Sequence, residues 1–89
     1  MTSRPLLIGP RVREDLDSFD KNLRSKFIRA FRFLRRDMLH PSLQTEVIKE
    51  GGDAFYRARV DPEYRIHFEF HDTYYLILAV GPHRLQRIG

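Results

Sequence analysis

The sequence contains no cysteine, so it can form neither a disulfide framework nor a metal site with thiolate ligands. A chain without cysteine fits a reducing compartment. The apolar run near the N-terminus, Leu6–Ile8, is too short for the core of a signal peptide or for a membrane span. We therefore expect a soluble, cytoplasmic protein.

The chain also lacks the short motifs of several enzyme classes. It has no His-Glu-x-x-His pair, no glycine-rich phosphate loop and no Gly-x-Ser-x-Gly turn. His67 and His71 would share one face of a helix, but on a strand they lie roughly 13 Å apart and cannot hold one ion. We predict neither a metal nor a small-molecule cofactor.

Positive charge is in excess: 16 lysines and arginines stand against 12 acidic residues, which gives a net charge of +4. This balance favours a polyanionic partner such as nucleic acid, the ribosome or an acidic protein, although small domains also carry such charge for solubility alone. At 89 residues, the chain should form one domain, residues 1–89, around one modest core.

The first half of the sequence predicts a short edge strand and two helices. The strand is expected at Arg4–Ile8, and a proline suited to a first turn opens the first helix, Pro10–Phe19. Asp20 is a plausible N-cap for the second helix, Lys21–Leu39, which Pro41 should end. Apolar residues repeat every three or four positions in this second helix: Leu23, Phe27, Phe31, Leu34 and Met38.

Two further features of the second helix admit more than one interpretation. Its aromatic residues, Phe27, Phe31 and Phe33, are typical of a core, while a stacking platform for bases is the alternative. Its opposite face carries arginines that either face solvent or contact a ligand: Arg24, Arg32, Arg35 and Arg36.

The second half predicts three consecutive strands, Ala54–Val60, Tyr64–Phe70 and Tyr74–Val80, with a possible extended segment at Thr45–Lys49. Asp61-Pro62-Glu63 has the residues of a tight turn. The expected fold is therefore α+β, with a helical hairpin packed on an antiparallel sheet of three or four strands.

Cations occupy one face of the first two of these strands. If Val60 lies opposite Tyr64, then the pairing places arginine against arginine and arginine against histidine: Arg59 with Arg65, and Arg57 with His67. Like charges directly opposite each other are destabilising, so this face needs an anion. The anion could be internal, from Glu69, Asp61 or Glu63, or it could be a partner's carboxylate or phosphate.

Two histidines are candidates for acid–base chemistry at this site. His83 follows the last strand and could reach over the rim of the sheet, and His67 lies within the sheet. Histidine exchanges protons near neutral pH, whereas arginine stays charged in water and acts by neutralising phosphate.

Several short segments together resemble the RelE/ParE superfamily of toxins from bacterial toxin–antitoxin systems. They are HPSL, GGDAFYRARV, EYRIHFEF and LAVGPH, and their order matches the family from the first strand onward. The resemblance implies a RelE-like toxin of a type II system: a metal-free, ribosome-dependent endoribonuclease that cuts mRNA and so inhibits translation. Its implied partners are a cognate antitoxin, the ribosome and mRNA, with no membrane.

The resemblance also implies roles for individual residues. Arg65 would stabilise the phosphorane, His83 would protonate the leaving 5′-oxygen, and Arg57 and Arg59 would hold the RNA backbone. Arg59 and His67 complete the set of candidate catalytic residues. Further contacts to RNA are expected from Lys49, Arg84 and Arg87.

The chain departs from the family pattern at two places. Many relatives have lysines where this sequence has Arg57 and Arg59, and many carry a tyrosine in the C-terminal region that here reads LQRIG. Two alternatives therefore stay open, a ParE-like inhibitor of DNA gyrase and a catalytically inactive binding or regulatory protein with the same fold.

Overall fold

The computed structural model describes residues 3–84, which form two helices packed on one side of a five-stranded sheet. The helices are α1 (Pro10–Ser18) and α2 (Lys21–Arg36), and a 3₁₀ turn (Pro41–Leu43) follows them. The strands are β1 (Leu6–Ile8), β2 (Glu46–Glu50), β3 (Asp53–Arg59), β4 (Tyr64–Phe70) and β5 (Tyr75–Pro82). Neither helix in this part of the chain is long and apolar enough to span a membrane.

The α+β prediction is confirmed, but the sheet is larger than the sequence indicated. Its strand order is β1-β5-β4-β3-β2, and β1 runs parallel to β5 while the other neighbours are antiparallel. The possible extended segment becomes β2, because Gly51 and Gly52 adopt φ of 54° and 87° and turn the chain back into β3. Such angles are accessible to glycine at little steric cost.

Helix α2 ends three residues before the position predicted from Pro41. The backbone becomes extended at Asp37, with φ of −165°, and the Asp37 carboxylate accepts a hydrogen bond from the Leu39 amide at 2.9 Å. A short aspartate side chain competes in this way with helical backbone hydrogen bonds. Pro41 instead begins the 3₁₀ turn.

The core lies between the helices and the sheet and is rich in aromatic rings. Phe27 and Phe31 are buried, as predicted, while Phe33 is only partly buried at the edge of the core. The ring of Phe27 stacks on Phe19 at 5.2 Å and meets Tyr64 edge-on at 6.0 Å between centroids. These contacts join α1, α2 and the start of β4 in one cluster.

The predicted pairing of β3 with β4 is confirmed. Val60 donates its amide to the Tyr64 carbonyl at 3.0 Å, and Arg59 pairs with Arg65 as Arg57 does with His67. The adjacent pairing of β4 with β5 shifts register after His67, so that Ile77 and Val80, three residues apart, both reach the core.

Candidate functional site

Three arginines, hereafter the arginine cluster, project from neighbouring strands: Arg57 and Arg59 from β3, and Arg65 from β4. Their strand neighbours Ala58 and Ile66 are fully buried beneath the helices. Since side chains alternate between the two faces of a sheet, the arginine cluster lies on the face that the helices leave uncovered. All three arginines are partly buried.

Arg65 is held in place by backbone oxygens rather than by an acid. Its Nη1 donates to the carbonyls of Asp61 at 2.7 Å and Tyr64 at 2.9 Å. Burial, followed by the charges of Arg59 and Arg57, lowers the pKa of the Arg65 guanidinium. The charges of Asp61 and Glu46 offset only part of this lowering, and Arg65 forms no direct ion pair within residues 3–84, so a bound anion would relieve the remaining repulsion.

The sequence suggested Asp61, Glu63 and Glu69 as internal partners for the arginine cluster, but their side chains do not pair with it in the described structure. Burial acts to raise the pKa of Asp61, but hydrogen bonds from the Glu63 and Tyr64 amides and from Lys26 outweigh it, and the net pKa is lowered. Lys26 lies 3.2 Å from this carboxylate. Glu69 pairs with a histidine, His71, at 2.8 Å. Within residues 3–84, none of the three acids forms an ion pair with the cluster.

One acid that does contact the cluster was missed from the sequence. Glu46 on β2 lies opposite Arg57 and forms an ion pair with it. The signal was present in the extended segment at Thr45–Lys49, but its register with β3 could not be read locally. Arg59 lies beyond the start of β2 and donates to the Gln44 side-chain oxygen at 3.2 Å.

His67 lies on the same face of the sheet as the cluster but is only 3% exposed. Its ring packs against Phe55 at 4.9 Å between centroids, and neither ring nitrogen has a hydrogen-bond partner among residues 3–84. Burial, together with the charge of Arg57, lowers the pKa of His67 to about 4. The imidazole is therefore neutral at physiological pH and shielded from solvent, and its catalytic role stays a prediction.

His83 is exposed and lies at the end of the sheet where the Arg59–Arg65 pair is found. Gly81 on β5 pairs with Arg65, and the His83 amide donates to the Glu63 carbonyl. This hydrogen bond ties the segment after β5 to the turn between β3 and β4. The backbone of His83 is thus held at the rim of the sheet, and its catalytic role stays a prediction.

The other predicted RNA contacts are distributed unevenly. Arg84 follows His83 directly and is exposed. Lys49 pairs with Ala54 at the other end of β3, and strand alternation places it on the opposite face from Arg57, so the structure does not bring it to the cluster. Arg87 lies outside the described residues.

The assembled site combines cations with one exposed histidine. Guanidinium groups bind phosphate through charge-assisted hydrogen bonds and can stabilise negative charge that develops on it. Arg57 is paired with Glu46, while Arg59 and Arg65 have no ion-pair partner within residues 3–84 and are available for such a ligand. The geometry suits phosphate recognition, with His83 as the group that could transfer a proton.

Comparison with solved structures shows similarity over most of the chain. A chain of the archaeal RelE–RelB complex from Pyrococcus horikoshii OT3 is 26% identical, with a TM-score of 0.72 over 96% of this chain and 100% of that one. A chain of the YoeB–YefM complex from Staphylococcus aureus is 20% identical, with a TM-score of 0.75 over 90% and 97%. A chain of the Mycobacterium tuberculosis toxin–antitoxin complex RelBE2 is 20% identical, with a TM-score of 0.73 over 90% and 98%. No protein-family model and no curated protein sequence matches the chain.

Proposed function

We propose that this chain, which has the fold of the RelE-like toxins, is the toxin of a type II toxin–antitoxin system and cuts mRNA on the ribosome. The resemblance predicted from the sequence is confirmed by the solved structures. The observation that supports the activity is the arginine cluster on the uncovered face of this fold, in which Arg59 and Arg65 have no carboxylate partner within residues 3–84.

In the proposed reaction, the 2′-oxygen of a ribose attacks the adjacent phosphorus and the bond to the 5′-oxygen breaks. Arg65 stabilises the charge of the phosphorane, and Arg57 and Arg59 hold the neighbouring backbone. The imidazolium of His83 donates its proton to the departing 5′-oxygen, while the 2′-hydroxyl proton passes to water. The products are a 2′,3′-cyclic phosphate and a 5′-hydroxyl end.

Induced expression in bacteria, with sequencing of mRNA ends on ribosomes, tests this activity. We expect growth arrest and cuts within A-site codons for the wild type. Arg65→Ala should reduce cleavage by about 100-fold or more, because it removes a group that stabilises the transition state. His83→Gln should reduce it by about 100-fold through loss of the proton donor. Arg13→Ala, an exposed charge-matched change on α1, should cleave like the wild type.

Other outcomes would assign a different function. Growth arrest with intact mRNA and broken DNA would indicate a ParE-like inhibitor of gyrase, an alternative that the RelE, YoeB and RelBE2 similarities do not favour. A folded protein that causes no arrest would be a binding or regulatory member with the same fold.

We further propose a cognate antitoxin as the partner, because the similar solved structures include the RelE–RelB, YoeB–YefM and RelBE2 complexes. An acidic, partly helical segment would complement the excess of cations on the sheet or on the helical hairpin. If a small acidic or DNA-binding reading frame lies beside this gene, its co-expression should abolish growth arrest and yield a stable complex on copurification. Persistent arrest with both proteins present would refute the pairing.

A further inference from the structure

A cavity of about 310 Å³ opens beside the arginine cluster, between α2, the 3₁₀ turn and the turn that joins β3 to β4. Its polar rim carries three cations and one carboxylate: Lys26, Arg29, Arg59 and Asp61. Its floor is apolar and includes one aromatic ring: Ala30, Phe33, Leu43 and Val60. The volume is at the lower end of the range of small-ligand sites.

The charge of the rim favours an anion. The one carboxylate, Asp61, already accepts hydrogen bonds from two backbone amides and from Lys26. Arg29 forms no ion pair within residues 3–84, and its guanidinium lies 5.6 Å from the centre of the Phe33 ring. Three cations against one committed carboxylate leave an uncompensated positive charge over an apolar floor.

Arg59 connects the cavity to the arginine cluster. Since β2 begins at Glu46, opposite Arg57, no strand among residues 3–84 covers the edge of β3 beside Arg59. The Arg59 side chain reaches Gln44 and the cavity rim there. Asp61 also lines the cavity, and its backbone carbonyl accepts from Arg65. A ligand in the cavity would thus lie next to a ligand bound by the cluster.

We propose that this cavity binds one nucleotide of single-stranded RNA next to the nucleotide whose phosphate is attacked. Lys26, Arg29 and Arg59 contact its phosphate, and the apolar floor covers its base or ribose. An acidic peptide without apolar side chains would satisfy the cations but leave the floor uncovered, whereas a nucleotide provides both a charge and a flat apolar face. This inference rests on the proposed function and adds a subsite for RNA on the side of α2.

Binding to short RNA, measured apart from cleavage and from the ribosome, tests the subsite. The probe is a fluorescent five-nucleotide RNA with 2′-O-methyl groups, which cannot be cut, titrated at several salt concentrations. Lys26→Ala and Arg29→Ala should each weaken binding about tenfold. Each should also reduce the slope of log K against log salt by about 0.7, the value for one contact to a single-strand phosphate. Ser42 also lines the cavity, and Ser42→Phe should fill it without changing the charge, so this variant should weaken binding and leave the slope nearly unchanged.

The controls separate a defined subsite from general attraction. Arg13 on α1 is not among the residues that line the cavity. Arg13→Ala removes one positive charge, as the cavity variants do, and this protein should bind RNA like the wild type. The proposal would be overturned if Arg13→Ala weakened binding as much as the cavity variants do. It would also be overturned if binding were unchanged in Lys26→Ala, Arg29→Ala and Ser42→Phe proteins that melt at the wild-type temperature.

Two further ligands identify the occupant. If AMP alone binds as tightly as the RNA and shows the same losses in the variants, the site takes free nucleotides rather than a chain. If a hexaglutamate peptide does so, it takes acidic peptides. Either result would overturn the RNA subsite. The binding assay does not depend on cleavage. If the variants show the expected losses in RNA binding but the wild type makes no cuts on ribosomes, the proposed activity is refuted and the subsite is not.

Discussion

At the scale of single residues, the buried imidazole of His67 is the least expected feature of the site. Two polar ring atoms are enclosed beside Phe55 with no hydrogen-bond partner among residues 3–84. Such burial costs free energy, and it costs more when the group is charged. The neighbouring Arg57 adds to the penalty on the protonated form. The structure therefore holds this histidine neutral.

This arrangement predicts a loss of stability in mild acid. The folded-state pKa of His67, about 4, lies below its ordinary value of 6.5, so the unfolded chain takes up the proton first as pH falls. Between pH 7.5 and 4.5 the contribution lost should be about 2 to 3 kcal/mol. Urea unfolding of the wild type and of His67→Leu at both pH values measures this contribution. The carboxylates titrate in both proteins, so the difference between the two losses of stability reports His67. An equal loss of stability in the two proteins would contradict the assignment.

At the scale of elements, α2 matters because it carries both core aromatics and the rim of the cavity. Its first turn is capped by Asp20, whose carboxylate accepts from the Leu23 amide at 2.8 Å. Its end is set by Asp37 rather than by the proline four residues later. The helix therefore has defined limits at both ends, which fixes where Lys26 and Arg29 lie along the cavity.

Removal of the cap should destabilise the protein measurably. Asp20→Ala is expected to lower the free energy of unfolding by about 1 kcal/mol, because the Leu23 amide loses its acceptor. Asp20→Asn removes the same charge but keeps an acceptor oxygen, so it should retain most of the stability. Chemical denaturation of both variants gives the comparison. If both variants lost the same amount, charge rather than capping would account for the effect.

At the scale of the whole molecule, the aromatic cluster joins the helical hairpin to the sheet. Phe27 is 0% exposed and contacts rings from three parts of the fold: Phe19, Phe31 and Tyr64. A domain of this length has a free energy of unfolding of about 4 to 13 kcal/mol. Loss of one such buried ring would remove a substantial part of this free energy of unfolding.

Phe27→Ala should therefore lower the free energy of unfolding by about 3 to 5 kcal/mol and lower the melting temperature accordingly. The adjacent Ile28 is 48% exposed, and Ile28→Ala should change stability by about 0.5 kcal/mol or less. Thermal melts followed by circular dichroism compare the two. Similar melting temperatures for both variants would show that the cluster does not hold the layers together.

Much of this architecture follows from local patterns in the sequence. The period of the apolar residues located both helices, alternation located β3 and β4, and the three-residue turn at 61–63 set their register. That register alone placed Arg59 opposite Arg65, because side chains of paired strands must alternate together. The proposed roles of these residues in cleavage stay predictions.

Other features depended on contacts between distant parts of the chain, and no local period reports them. The parallel pairing of β1 with β5, the approach of Glu46 to Arg57 and the cavity beneath Arg59 all arise when separate elements pack together. The burial of His67 is of the same kind. Strand alternation assigns a side chain to a face of the sheet, but only tertiary packing decides whether that face is open to water at that point.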